Sequence, residues 1–314
     1  MPQLQASLII PTFRRDEWVK QCLQRALNQI VPPLEIIVID QTLVRSEETK
    51  RVFDELSQNP KIKWIRQELA SITRARNLAA NIAKADILIF VDDDVYFEKD
   101  FIEQHLSFYQ SSDVVSVAGQ VSVFPDNHPC RKKPEIKWKD DETFNSLPYN
   151  DRQRVFKIQG CNWSVKRDVY ISLGGVDEAF EGPSWGEEDD FACRMGEDHT
   201  ILFSERARVV HFRAAVGGCR IEPTQNHTDL QKWTCVFTFM FRHGFWLGKR
   251  DEAGRPVPQP WIQRWYQALR HTLLIKKNVL RPWKCLLGVS TLFEAISQSK
   301  KLANRPVRFT TVEP

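Results

Sequence analysis

Five apolar residues, Ile87 to Val91, run straight into three carboxylates, Asp92, Asp93 and Asp94. Adjacent anions repel, and such a cluster persists where a cation, or a ligand carrying one, sits among them. Its hard oxygen donors suit Mg²⁺ or Mn²⁺, which take one or two protein carboxylates and leave the other positions to phosphate and water. A solvated turn would explain the three acids taken alone. A second acidic run, Glu187, Glu188, Asp189 and Asp190, stands ahead of a helical pattern. Complementing a helix dipole accounts for one or two of these. Crowding of the rest raises the proton affinity of at least one, which suits a general base.

Other residues extend this list. His211 closes the apolar stretch Ala207 to Val210 and is either a satisfied structural histidine or a neutral imidazole ligand to a metal. Arg74 and Arg76 lie two apart near a helix start, so they cannot share a face, and either could reach a phosphate. Gly217-Gly218-Cys219-Arg220 is a short loop with a cation, able to close over a phosphate or simply to turn. Trp163 and Trp185 could each offer an apolar face to a sugar ring or pack in a core.

Positioning these groups is the task of the N-terminal half. Ser7 to Ile10 and Leu34 to Ile39 read as buried strands closed by Pro11 and Asp40. Between them Val19, Cys22, Leu23, Ala26, Leu27 and Ile30 recur at helical spacing behind a cap at Asp16. Lys61 to Ile65 predicts a third strand, residues 72–84 a helix, and the fourth strand ends in the triple Asp. Strands buried on both faces and separated by helices describe a parallel sheet with right-handed crossovers. In such sheets ligands bind beyond the carboxyl ends of the strands, where Pro11-Thr12, Asp40 and the triple Asp all fall. A helix over 100–110, a strand over 114–123, a surface excursion over 125–154 and strand-like sequence from Phe156 to Gln159 follow. Beyond Arg220 the pattern is helical and basic, interrupted by a turn-rich segment from Asp251 to Pro260.

The net charge of +4 conceals an asymmetry: residues 1–200 hold 25 basic and 33 acidic residues, residues 201–314 hold 19 and 7. An acidic front suits cations, and a basic rear suits phosphate groups or an anionic membrane. The seven cysteines never show Cys-x-x-Cys spacing, which argues against a zinc site or a disulfide framework and for a reducing compartment. The N-terminus opens directly into a strand pattern, and no apolar run approaches the roughly 20 residues of a membrane-spanning helix. The expected location is cytoplasmic, with peripheral contact at the inner face of the membrane through the basic rear.

Rival motifs fail on context. Gly182-Pro183-Ser184-Trp185-Gly186 matches a nucleophile elbow, but no apolar strand precedes it. An aspartyl phosphotransferase pair at Asp92 and Asp94 lacks its downstream lysine and Gly-Asp pair. A nucleotidyltransferase would carry a glycine-rich loop where this chain reads Pro11-Thr12-Phe13-Arg14-Arg15.

Taken in order, Ser7 to Arg15, Glu35 to Asp40, Ala75-Arg76-Asn77, Phe90 to Asp94, Gly160-Cys161-Asn162, Gly174 to Asp177 and Glu187 to Phe191 resemble the family 2 glycosyltransferases of GT-A fold. The resemblance covers roughly residues 5–220. It implies an α/β fold with a GT-A-like, mostly parallel sheet flanked by helices, forming a nucleotide-sugar-binding and catalytic domain over 1–222. A helical, basic C-terminal region over 223–314 would serve acceptor or membrane contact. The implied activity is metal-dependent, inverting transfer of a sugar from a nucleotide-diphospho-sugar to an acceptor hydroxyl, in polysaccharide or glycoconjugate synthesis. A UDP-sugar is the favoured donor, and a glycan, a lipid-linked molecule or another hydroxyl compound the acceptor; nucleic acid is not expected as a partner. A non-catalytic nucleotide-sugar- or glycan-binding protein of the same fold is the alternative.

The same resemblance implies roles. Pro11, Thr12, Arg14 and Asp40 would line the nucleotide pocket, Asp40 facing the base, with Arg76 and Arg220 near the diphosphate. Asp92 and Asp93 would lie by the donor, and Asp94, with Asp92 and His211, would hold Mg²⁺ or Mn²⁺. Glu188 takes the position of the family's catalytic base, with Asp189 as substitute and Glu187 beside them. Asn162, Trp163 and Trp185 would contact the sugar or acceptor. Asp40 is followed by Gln41-Thr42, where many relatives carry Asp-Gly-Ser.

Overall fold

The computed structural model describes residues 4–45, 47–124, 150–181, 185–218, 229–251, 255–258 and 282–310. Its N-terminal half alternates strand and helix: β1 (Ala6–Thr12), α1 (Asp16–Leu27), β2 (Glu35–Asp40), α2 (Glu47–Ser57), β3 (Ile62–Arg66), α3 (Ile72–Ile82) and β4 (Ile87–Val91). Next come β5 (Val95–Phe97), α4 (Phe101–Leu106), β6 (Val114–Val123), β7 (Arg154–Val155), β8 (Asn162–Lys166), α5 (Arg167–Ser172), α6 (Glu187–Met195) and β9 (Thr200–His211). The C-terminal region adds α7 (Asp229–His243), the pair β10 (Phe245–Arg250) and β11 (Pro256–Pro258), and α8 (Pro282–Ala303).

The main sheet runs β3-β2-β1-β4-β8-β6-β9-β5, with β7 on the flank of β9. The parallel order expected from the sequence holds for β3, β2, β1 and β4. Beyond β4 the sheet is mixed, because β8 runs antiparallel to both β4 and β6. Alternation along each strand divides the core. Leu8 and Ile10 of β1 face α1 through Val19, Cys22, Leu23 and Ala26, and Ile9 faces α3 through Ala75 and Ala79. Every residue of β1, β2 and β4 is buried, as covering on both faces requires.

Three local expectations are corrected. Asp16 is the first residue of α1 rather than its cap; Arg15 stands at the cap position, and its side chain makes no cap bond. Phe156 to Gln159 is not a strand, since the chain pairs only at Arg154–Val155 and then turns, Asn162 N–H donating to Gln159 O at 2.9 Å. The predicted helix over 100–110 stops at Leu106 and continues as turns. The boundary expected at residue 222 lies outside the described residues, as does most of the 125–154 excursion.

Helices α7 and α8 pack through Trp233, Val236, Phe237 and Met240 against Leu292, Ala295 and Ile296. Among the described residues several contacts fasten the C-terminal region to the sheet domain, Phe180 packing on Cys235 and Phe239 among them. Arg242 reaches Asp177 at 2.7 Å and Asp190 at 2.8 Å. Past α8, Arg308, Phe309 and Thr310 return across the sheet domain: Arg308 N–H donates to Asp177 Oδ1, its carbonyl accepts the Glu178 N–H, and Phe309 lies against Gly175. Among the described residues, no helix is long and apolar enough to cross a membrane.

Candidate active site

Strands β1 and β4 end side by side, and their tips are tied at once: Thr12 Oγ1 donates to Asp93 Oδ2 at 2.7 Å. Arg15, just past β1, lies under the triple Asp. Its Nη1 is 2.9 Å from Asp93 Oδ1 and 3.0 Å from Asp94 Oδ2, and its other nitrogens donate to the carbonyls of Ala214, Val216 and Gly217. Gly217 and Gly218 adopt positive φ, so the loop after β9 can lie against Phe13 and the Arg15 side chain; a Cβ on either would collide there. That loop acts as a turn around a buried cation. Arg220 lies outside the described residues.

This arrangement separates the three aspartates. Asp93 is buried with both oxygens engaged by Thr12 and Arg15, so it braces the strand tips. Burial pushes its carboxyl up to about 6 against the pull of Arg15. Asp94 is also buried, yet it is held well below the usual carboxylate range; burial opposes ionisation, and His211, Arg15 and the Ala214 N–H outweigh it. Asp92 keeps about a quarter of its side chain exposed, at 26%.

His211 ends β9 and pairs in register with Val95, which sets its ring beside the cluster. Its Nε2 is 3.2 Å from Asp94 Oδ1 and 3.8 Å from Asp92 Oδ2. Asp94 Oδ1 is buried without a hydrogen-bond partner, an acceptor that a cation would satisfy. Carboxylate oxygens of Asp94 and Asp92 on either side of one imidazole nitrogen are donor types that suit Mn²⁺ or Mg²⁺.

Arg76, one turn into α3, joins this cluster to the second. Its guanidinium is buried, with Nη2 3.7 Å from Asp92 Oδ1 and Nη1 3.1 Å from Glu187 Oε1 and 3.9 Å from Glu188 Oε1. Burial disfavours its charge, but Glu188, Glu187 and Asp92 hold it protonated. Arg74 points elsewhere, 3.6 Å from Glu178. Glu188 Oε1 also accepts the Gly160 N–H at 3.0 Å while 27% of its side chain stays exposed. Burial raises its pKa, Arg76 opposes the rise, and Asp189 and Asp92 add to it. Glu187 is buried against Arg76 and is pushed well above the usual range by burial and by Glu188. Asp189 is half-buried on the same helix. Asp190 turns away to Arg194, Arg242 and His243. Glu188 is thus the acid of this run that is both partly open and next to the triple Asp.

Several of the residues expected at the donor or acceptor are buried or already hydrogen-bonded. Trp163 is fully buried and stacks on Phe90 at 4.5 Å, so its face is not open to a sugar. Asn162 is fully buried; its Oδ1 bonds His105 and its Nδ2 donates to the Gln120 and Ala207 carbonyls, which orders the β8 start. Asp40 presents no free oxygen, because Arg45 grips it with both terminal nitrogens while Trp64 Nε1 and Thr42 N–H donate to it as well. Pro11 and Thr12 are buried in the sheet, and Arg14 is exposed, stacked over Phe13. Trp185 remains 47% exposed beside the acids. Sequence reasoning missed Arg15, Arg45, Trp64 and Cys161. The carboxylate partners of Arg15 and Arg45 become visible only when the strand ends meet.

Fold and rim together define an α/β enzyme of transferase type, with two acidic clusters held at the strand ends by one buried arginine. The signature of the family described as Glycosyl transferase family 2 matches residues 7–174, more than half of the 314 residues, and the chain belongs to that family. It is 27% identical over 231 residues to the glucosyl-dolichyl phosphate glucuronosyltransferase of Haloferax volcanii, covering 66% of this chain and 69% of the relative. It spans only 10% to 14% of the length of several other curated relatives. In fold it is similar to residues 1–349 of TarS from S. aureus, with a TM-score of 0.59 at 12% identity over 95% of this chain and 83% of that one. The mannosyltransferase PcManGT from Pyrobaculum calidifontis, solved with GDP-Man and Mn²⁺, gives 0.51 at 15% identity, over 93% of this chain and 75% of that one.

Proposed function

We propose that this chain transfers a sugar from a nucleotide-diphospho-sugar to an acceptor hydroxyl by a single inverting displacement at the anomeric carbon. The observation that carries the reading is the buried Arg76 bridge, which places Glu188 beside Asp92 and the cation donor set. Glu188, partly open and with raised proton affinity, accepts the acceptor's hydroxyl proton as attack proceeds. The Gly160 N–H and Arg76 fix its Oε1. Arg76 also sets a positive charge beside Asp92, where charge on the departing diphosphate develops. Asp94, His211 and Asp92 would hold a divalent cation, which supplies Lewis-acid neutralisation of that diphosphate when bound. Support for a lipid-linked acceptor comes from the Haloferax relative, named for its action on a dolichyl phosphate glycoside. Which base the donor carries is left open by the saturated Asp40.

The test is Glu188→Gln. General-base assistance is worth about 10²–10⁴ in rate, so transfer should fall by that factor. Stabilisation of the protein by nucleoside diphosphate and Mn²⁺, read as a rise in melting temperature, should persist. Full turnover in the variant would remove Glu188 from the mechanism.

A further inference from the structure

Cys161 is the residue at this rim that the transfer reading does not use. It sits in the turn between Gly160, which holds Glu188, and Asn162, which starts β8, and it is buried at 7% exposure. Its Sγ, a ring nitrogen of His211 and a carboxylate oxygen of Asp92 all lie within 4.8 Å of one another. Beside them Asp94 is fully buried, its Oδ1 3.2 Å from His211 Nε2. A thiol, an imidazole and a carboxylate close together form a different donor set from the oxygen-rich one that suits Mg²⁺ or Mn²⁺. Thiolate favours softer cations, and zinc outranks manganese at mixed nitrogen, oxygen and sulfur sites generally.

We propose that Asp92, Cys161 and His211 form a Zn²⁺ site that overlaps the cation site of the transfer reaction, so that Cys161 determines metal selectivity. Zinc binding displaces the thiol proton to solvent and leaves a thiolate ligand. Because the two sites share His211 and Asp92, zinc and the hard cation exclude each other. The inference rests on the proposed cation site, but binding rather than turnover reads it out.

The experiment uses the full chain, metal-free, as wild type, Cys161→Ser and the control Cys193→Ser. Zinc affinity is measured by competition with a chromogenic chelator, and Co²⁺ serves as a spectroscopic probe. Wild type and Cys193→Ser should bind zinc alike and show a near-ultraviolet thiolate-to-cobalt charge-transfer band. Cys161→Ser should lose that band and at least the roughly 10–100-fold in zinc affinity that even an outer partner of a metal site costs. Its Mn²⁺ affinity should stay within about threefold, since manganese draws on carboxylate and imidazole. A wild-type cobalt complex without the band, or zinc held equally by Cys161→Ser, would overturn the proposal, whatever the outcome for Glu188.

Discussion

A single backbone position shows how tightly Glu188, the proposed base, is held. A Cβ on Gly160 would land on the Arg76 guanidinium and on Glu188 Oε1, so no larger residue fits without pushing the two apart. Gly160→Ala should therefore leave the fold intact while displacing the base. Misplacement of a reacting group by about 1 Å can cost 10²-fold, and transfer should fall by about that factor in steady-state assays. Unchanged turnover would show that Glu188 need not sit where Arg76 and Gly160 hold it. At this scale the sequence announced the acids well and their partners poorly. Asp92, Asp94, Glu188 and His211 stand out as residue types at strand and helix ends, and the structure brings them to one rim. Asp93 and Asp40 looked equivalent to them, and only the folded positions of Arg15 and Arg45 show that their oxygens are already taken.

Elements were legible where one physical signal dominated. Continuous apolar runs located β1, β2, β4 and β6 closely, and the alanine-rich face located α3. The sequence reading passed over α2 because its surface is mostly polar and only a narrow stripe, including Phe53 and Leu56, meets the core. Nor did it foresee what fastens α6 to α7. Asp190 ends a run of acids that looked like one group, yet it is buried and bound by Arg194 at 2.9 Å and by Arg242 and His243 at 2.8 Å. Burial opposes its ionisation, but these partners lower its pKa from 3.8 to about 2. A depressed carboxylate contributes stability that is complete above 3.8 and lost as pH falls through about 2. That difference amounts to roughly 2 kcal/mol. Asp190→Asn leaves Arg194, Arg242 and His243 without their anion and should cost about 3–5 kcal/mol at neutral pH. Urea midpoints measured down the acid range should then fall less steeply for the variant than for wild type. Parallel acid profiles would mean that the Asp190 cluster does not link α6 to α7.

For the whole molecule, the split into a sheet domain and a basic helical rear conceals a return path. After α8 the chain crosses back, and Thr310 N–H and Oγ1 donate to the two oxygens of Glu178 at 3.0 and 2.7 Å while Asn81 Nδ2 donates to the Thr310 carbonyl at 3.1 Å. Phe309 packs on the same side of the sheet as α3 and α5. No periodicity marks these residues, because their partners lie more than 120 positions upstream. Asn77, beside Arg76 on α3, shares the Glu178 carboxylate with this strap through its Nδ2 at 3.1 Å, so the C-terminus braces the helix that carries the bridging arginine. Deleting residues 306–314 would expose Glu178 and Gly175 and remove several buried hydrogen bonds together with an aromatic contact. At about 1 kcal/mol for each of these hydrogen bonds and 1.5–3 kcal/mol for the aromatic ring, the loss should be roughly 6–8 kcal/mol, measured by urea unfolding. Phe309→Ala isolates the packing and should lose about 2 kcal/mol without touching the hydrogen bonds. If both variants unfold at the wild-type midpoint, the strap merely rests on the sheet domain, and the support of α3 must come from the sheet alone.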